Sequence, residues 1–537
     1  RILALGGTAL AVTLALLLVL PSTAQACGGF FCNSGAPIRQ QGEQIVFTVG
    51  GGTVNATIQI NYAGEAEDFA WVVPVASVPV IDVGPQQLFN DLRSRTSPYF
   101  NLVYDWEADG DCGYNQYPDD MMLEAAGVEP SPAADGGVEV LESGEVGPYM
   151  TVVLDADNAN ALYEWLNDNG FDQPEDSIPL IEHYLENDMF FLALKLKQDA
   201  GVGEIQPLIL KMEEDEPCVP LILTRIAASP DMPVRIYVLG EHRAAPSNWM
   251  HVEVNEKKIN WIQGGYNYES LLNLAIDEAA GHGFTTEYAG PSNIMESTLW
   301  WEGRFDLEGL LSVEEPADFL QQLLWQGFPR DSQLQGLIKK HIPKPDLSEL
   351  PQDCQTDQEF YSWNLVYCLE FMPSDWTFSP VAFVEDLDEA VVRPLREAQK
   401  NLDDNPYLTR LYSTVSPDEM TRDPLFTFNA DLPEVPRERR AQAVRKWDDE
   451  CTLEGVNITL SNGESFTVTD NLEGYYYWWN EVPEDANDAF PNEPAAGSIS
   501  LIGSSGAPVE IPRHLIGEVD SRLDTENPSI IIADLEA

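Results

Sequence analysis

The clearest pattern in the chain is a strict alternation. Val54, Ala56, Ile58, Ile60 and Tyr62 alternate with Asn55, Thr57, Gln59 and Asn61. A period of two puts one side of a strand in a core. With Gln44–Val49 before it and Gly50-Gly51-Gly52 between, the stretch predicts a β-hairpin. Residues 68–75 read as another strand, with Pro74, Pro79 and Pro85 marking its exit, and 86–95 as a short helix. Residues 149–154 predict a strand, followed by a helix with Leu162, Trp165 and Leu166 on one face. Four further strands are expected at 189–196, 206–211, 219–226 and 233–239. Helical spacing returns at Tyr268, Leu271, Leu272, Ala275, Ile276 and Ala279, with Gly281 just past the end. In 284–290, Phe284, Thr286 and Tyr288 alternate with Thr285 and Glu287, which reads as a strand.

From residue 305 to about 445 the pattern is mostly helical. Pro316 suits a first helical position, Phe319, Leu320, Leu323 and Leu324 are expected to form a buried stripe, and Gly327 ends it. Asp331 can cap the next helix, and Asp388–Lys400 predicts one bent or started at Pro394. Strands return at 456–460, 465–468 and the aromatic run Tyr475–Trp479. The fold class expected is α+β. It comprises an antiparallel β-rich N-terminal domain with a few helices, a helical middle region and a small β-rich C-terminal part. The boundaries expected are 1–26 for a leader, 27–290 with an acidic insertion at about 105–147, then 291–445 and 446–537.

The leader carries its own logic. Residues 2–20 are almost wholly apolar, Arg1 precedes them, and Ala24-Gln25-Ala26 offers small residues where a signal peptidase cuts. An uncleaved membrane anchor is the alternative. The residues three and two before Cys27 are Ala24 and Gln25, where a lipoprotein signal places Leu and a small residue. A Cys27–Cys32 disulfide closed across two glycines is therefore favoured over a lipid anchor on Cys27. Acylation would, however, leave an even six of the seven cysteines. In an exported chain the cysteines read as disulfides, and Cys354–Cys368 is the second expected pair. Partners for Cys112, Cys218 and Cys451 are not assignable from spacing.

Charge narrows the function classes. With 29 basic against 89 acidic residues, the net charge is −60, which repels nucleic acid and anionic membranes. The acids are spread along the chain, as in a surface adapted to salt. Calcium is the cofactor considered. Asp105, Asp109, Asp111, Asp119 and Asp120 crowd the insertion, and Asp155 and Asp157 precede Asn158 at a strand end. Hard oxygen donors suit Ca²⁺, but the first group lacks EF-hand spacing, and the second equally caps a helix. His282 and Glu287 on a Gly-flanked turn are the candidate acid–base pair, against a structural histidine on a plain strand. The run Tyr475–Trp479 could present rings to a glycan or a peptide. No nucleophile elbow, phosphate loop, dinucleotide fingerprint or zinc-protease motif is present.

Several stretches together carry a resemblance. They are Cys27-Gly-Gly-Phe-Phe-Cys32, Asp68-Phe-Ala-Trp-Val-Val-Pro74, Phe284-Thr-Thr-Glu-Tyr-Ala-Gly290, Tyr407-Leu-Thr-Arg-Leu-Tyr412, Ser416-Pro-Asp-Glu-Met-Thr421 and Asp423-Pro-Leu-Phe426. Over roughly residues 27–430 the chain resembles the bacterial exported family called domain of unknown function 2330. The resemblance implies export to the periplasm, outer surface or medium, and brings no activity, ligand or site residue with it. The function expected is a non-enzymatic cell-envelope structural or binding module with an envelope protein or glycan as partner. The alternatives are an exported hydrolase working at His282 and Glu287, and a calcium-stabilised adhesion protein.

Overall fold

The computed structural model describes residues 39–63, 70–105, 139–171, 173–197, 205–214, 216–345, 350–361, 365–373, 376–469 and 495–537. The leader, Cys27, Cys32, Cys112, Asp68, Asp109, Asp111, Asp119, Asp120 and the run Tyr475–Trp479 lie outside them.

The alternating stretch forms the hairpin it predicts. Arg39–Gly50 and Thr53–Ala63 pair antiparallel, turning through Gly51 and Gly52 at φ 64° and 73°, a backbone region glycine enters without steric cost. Among the described residues this hairpin belongs to a ten-stranded sheet. From edge to edge it runs Val509–Glu510, Gly497–Leu501, Met250–Val254, Gly283–Pro291, Tyr407–Val415, Met232–Gly240, Arg39–Gly50, Thr53–Ala63, Leu208–Met212 and Val80–Val83. Pairing is antiparallel except between Arg39–Gly50 and Met232–Gly240 and between Met250–Val254 and Gly283–Pro291. The class is α+β, with strands from every expected region contributing to this one sheet.

The two-residue period sorts side chains between two cores. Ile45, Phe47, Ile236, Val238 and Leu411 enter a core shared with Trp71, Val73, Leu192 and Leu194 of a second, antiparallel sheet. That sheet is built from Ala70–Val75, Phe190–Leu196, Tyr149–Asp155 and Glu139–Val146. Val46, Tyr237, Leu239 and Leu408 face the opposite way, into the helical lobe with Phe319, Leu323, Phe383 and Leu395. The helices Ala159–Asp168 and Ile178–Leu185 cover the far side of the second sheet. The layers are thus helices, sheet, sheet, helices. A side sheet of Ser465–Val468, Leu453–Leu460, Glu438–Trp447 and Tyr99–Tyr104 shares a third core with Val252, Leu271, Ile499 and Val519.

The structure revises several local expectations. Residues 219–226 are not a strand: Leu221–Thr224 is a helical turn. Pro217 and Pro220 cannot donate to a ladder, and the Asp423 carboxylate accepts the Ile222 N–H at 2.9 Å. Helix stops at Asp404 rather than near 445, because Tyr407–Val415 is a strand inside the large sheet. Part of the acidic insertion, Glu139–Val146, is strand paired with Tyr149–Asp155. The helix expected at 388–400 begins earlier, at Pro380, and passes through a π-turn, Asp388–Val392, before Arg393–Asp404. Pro394 lacks the N–H that a regular turn would use there. Finally, the even alternation of 284–288 fails. Thr286 pairs with Leu411 but Tyr288 with Arg410, so Glu287 is the extra residue of a β-bulge.

Candidate functional site

The motif residues converge around the strand Gly283–Pro291 and its neighbour Tyr407–Val415. The preceding helix, Tyr268–Asp277, ends in a tight turn in which Gly281 N–H reaches back to the Ile276 carbonyl at 3.0 Å. Gly281 has φ +76°, and a Cβ there would stand 2.4 Å from the Glu419 carboxyl carbon. Glu419 in turn accepts the Ser416 N–H at 2.7 Å. This turn delivers His282 into a buried polar cluster.

His282 Nδ1 lies 2.8 Å from Asp520 Oδ1, and Nε2 lies 2.8 Å from the Glu419 carbonyl and 3.1 Å from Thr421 Oγ1. Asp520 stands on the helix Ile516–Leu523. Arg422 donates to Asp520 Oδ1 at 2.6 Å and also pairs with Asp524. Burial works against the Asp520 anion, but the bonds and charges of His282 and Arg422 outweigh it and hold the carboxyl below the usual range. A hydroxyl, an imidazole and a carboxylate in line resemble a nucleophile–base–orienter chain. The carbonyl of Glu419 decides against that chemistry. A carbonyl only accepts, so Nε2 satisfies it by donating, and a donating nitrogen has no lone pair for the Thr421 proton.

Glu287 belongs to a different cluster. Its carboxylate takes the Arg410 Nε–H at 2.6 Å, with both side chains about 4% exposed. Arg410 also donates to Ser97 Oγ at 2.8 Å, at the end of the helix Gln86–Thr96, and its guanidinium lies 5.8 Å from the Tyr237 ring centre. Burial disfavours the guanidinium charge, yet Glu287 more than compensates and raises its pKa. His282 sits edge-on to Trp249 at 4.9 Å, and Trp249 touches Phe284, all beside the core between the two sheets. Tyr237, by contrast, belongs to the helical-lobe core. The two sequence candidates are therefore not brought together.

A third buried cluster sits between them. Arg243 donates to Thr286 Oγ1 at 3.0 Å and to the Pro433 carbonyl at 2.9 Å, and His251 Nε2 lies 3.1 Å from the same Thr286 hydroxyl. Burial and then the Arg243 charge push His251 down to about 3, so its ring is neutral. Asp423, half-buried, lies by Tyr184 and Cys218, and the buried Glu43 lies near Asp423. Burial pushes Glu43 up to about 7, against its Gln40 hydrogen bond and with the nearby Asp423 charge. Burial likewise pushes Asp423 up to about 6, against its hydrogen bonds from Ile222, Tyr184 and Leu221. Cys218 is a free thiol whose pKa burial, then Asp423, Glu214 and Glu216, push well up. It is held as the unreactive thiol.

The other candidates are structural in what they contact. Cys354 and Cys368 are bonded to each other within the helical lobe, and Cys451 is also disulfide-bonded. Asp155 ends a strand, Asp157 lies in the turn after it, and Asn158 caps the next helix by accepting the Ala161 N–H at 2.9 Å. Asp105 follows the strand Tyr99–Tyr104. Among the described residues no three His, Cys, Asp or Glu side chains are grouped to hold a metal ion, and no helix is long and apolar enough to cross a membrane. Sequence reasoning missed Asp520, Arg422 and Arg410 as partners. Arg410 lay inside a motif already singled out, whereas nothing local marks Asp520, which lies 238 residues from His282.

No curated protein and no solved structure matches the chain significantly. A family model, described as an uncharacterized protein conserved in bacteria, matches residues 21–336. The motifs at 407–426 lie beyond that match yet form the strand and turns on which the matched segment's His282 and Glu287 close. The chain belongs to the bacterial family DUF2330.

Proposed function

We propose that the protein is an exported, non-enzymatic module of the bacterial cell envelope that acts by structure or by binding. The observation that carries this reading is the state of its acid–base candidates. His282 is engaged at both ring nitrogens and Glu287 is closed in a buried ion pair, so each ties distant segments together and neither is free to move a proton. The Cys354–Cys368 bond supports an oxidising compartment, and the apolar leader with Ala24-Gln25-Ala26 supports export. The net charge of −60 favours a partner other than nucleic acid.

The test has two arms. Cell fractionation with N-terminal sequencing of the mature protein should find it outside the cytoplasm and starting at Cys27. The purified protein, assayed against ester, glycoside and peptide substrates, should show no turnover. Turnover abolished by His282→Ala would overturn the reading in favour of a hydrolase.

A further inference from the structure

The helical lobe covers two of its tryptophans with its own arginines. Arg396 lies 5.3 Å from the Trp300 ring centre and Arg304 lies 5.0 Å from that of Trp301. Trp325 is treated differently. It is 76% exposed, and among the described residues no cation of this chain lies over it. Its surroundings are nonetheless built for one. On the helix Pro316–Gln326, Asp318, Gln321, Gln322 and Trp325 fall at i, i+3, i+4 and i+7, a spacing that puts them on one face. With Glu314 and Glu315 from the preceding turn they line an open, shallow groove of about 490 Å³. Among the described residues none of the three carboxylates forms an ion pair.

We propose that this groove receives a basic side chain, Arg or Lys, from a partner polypeptide. The inference rests on the protein's being a binding module. The choice of ligand follows from charge. A tryptophan face attracts a cation through its quadrupole, and the carboxylates attract the same charge. An uncharged sugar could stack on the ring but would gain nothing from three carboxylates. A metal ion would use the carboxylates but not the ring. A guanidinium or ammonium uses both, as Arg396 does in lying over Trp300 and 3.5 Å from Asp388.

The test titrates a labelled short peptide carrying three arginines into the full mature protein at physiological ionic strength, with the glutamine-substituted peptide as reference. Trp325→Ala, at an exposed position, should weaken the arginine peptide roughly two- to five-fold. Removing the groove charges together (Glu314→Gln, Glu315→Gln, Asp318→Asn) should weaken it further. The control removes three charges from the acidic pocket beside Gly52 (Glu213→Gln, Glu214→Gln, Glu216→Gln) and should change little. Equal losses from both triple variants would show diffuse attraction to an acidic surface and overturn the proposal. So would indifference to Trp325→Ala, or binding of a neutral oligosaccharide at Trp325 in place of the peptide. None of these outcomes bears on substrate turnover, so failure here is distinguishable from failure of the non-enzymatic reading.

Discussion

His282 and Glu287 flank one short stretch of chain but serve opposite faces of the large sheet. His282 packs on Trp249 beside the core between the two sheets, while Glu287 pairs with Arg410 next to Tyr237 of the helical-lobe core. The two-residue period alone separates them, since positions five apart fall on opposite faces; the bulge at Glu287 then turns Tyr288 to the helical-lobe face as well.

The Glu287–Arg410 pair yields the largest stability effect expected. Glu287→Gln leaves a buried guanidinium without its counter-charge and should cost about 3–5 kcal/mol. Adding Arg410→Met should restore part of that loss, because the unpaired charge is gone. Urea unfolding of the two variants checks the order. A single variant as stable as the parent would refute the structural role.

The second prediction concerns the C-terminal helix. Asp520→Asn weakens the bonds to His282 and Arg422 that hold Ile516–Leu523 against the sheet. Hydrogen exchange should rise in that helix first, with a loss of about 1–3 kcal/mol. Uniform exchange across the molecule would contradict a local clamp.

Stability should depend on pH with opposite signs on the two sides. The depressed pKa of Asp520 means its contribution is present above the ordinary value of 3.8 and lost as pH falls through the lower folded value. Glu43 is raised from 4.5 to about 7, so its contribution is complete below 4.5 and lost as pH rises through about 7. That loss is on the order of 3 kcal/mol. Glu43→Gln should therefore raise the melting temperature relative to the parent at about pH 8 and much less at about pH 5. Parallel melting curves for the two proteins would show that Glu43 ionises freely in the fold.

Much of this scaffold was legible beforehand. The hairpin, the helix Pro316–Gln326 and the cap at Asp331 each follow from spacing within a dozen residues, although Leu324, expected in the buried stripe, is 47% exposed. The misreading of 219–226 came from the same kind of evidence. Its apolar, β-branched residues suit a strand, but two prolines and the distant Asp423 carboxylate stabilise a helical turn instead.

Two glycines separate local from tertiary demands. Gly281→Ala should destabilise by more than about 1 kcal/mol, from its positive φ and from the approach of Glu419. Gly336→Ala lies in the helix Ser332–His341 with open space around it and should stabilise by about 0.5–1 kcal/mol. Paired thermal melts test the contrast, and effects of the same sign would refute it.

The Cys354–Cys368 bond closes a loop with a sequence separation of 14. Reduction, or Cys354→Ser with Cys368→Ser, should lower stability by about 3 kcal/mol. A melting temperature unchanged by reductant would show that the helical lobe does not depend on the link.

The sequence by itself determined the elements whose period and turn chemistry act over neighbouring residues, the hairpin Arg39–Ala63 and the helix Pro316–Gln326 among them. It also placed two cysteines close enough to bond and located the stretches that mark the family. Only the tertiary structure decided what those stretches do. Whether His282 meets Thr421 as a base or donates to the Glu419 carbonyl depends on a turn far along the chain. Asp520 and Arg410 likewise acquire their roles from contacts no local pattern encodes. Buried charges must find partners wherever the fold brings them, and the partners' position in the chain carries no trace of that need.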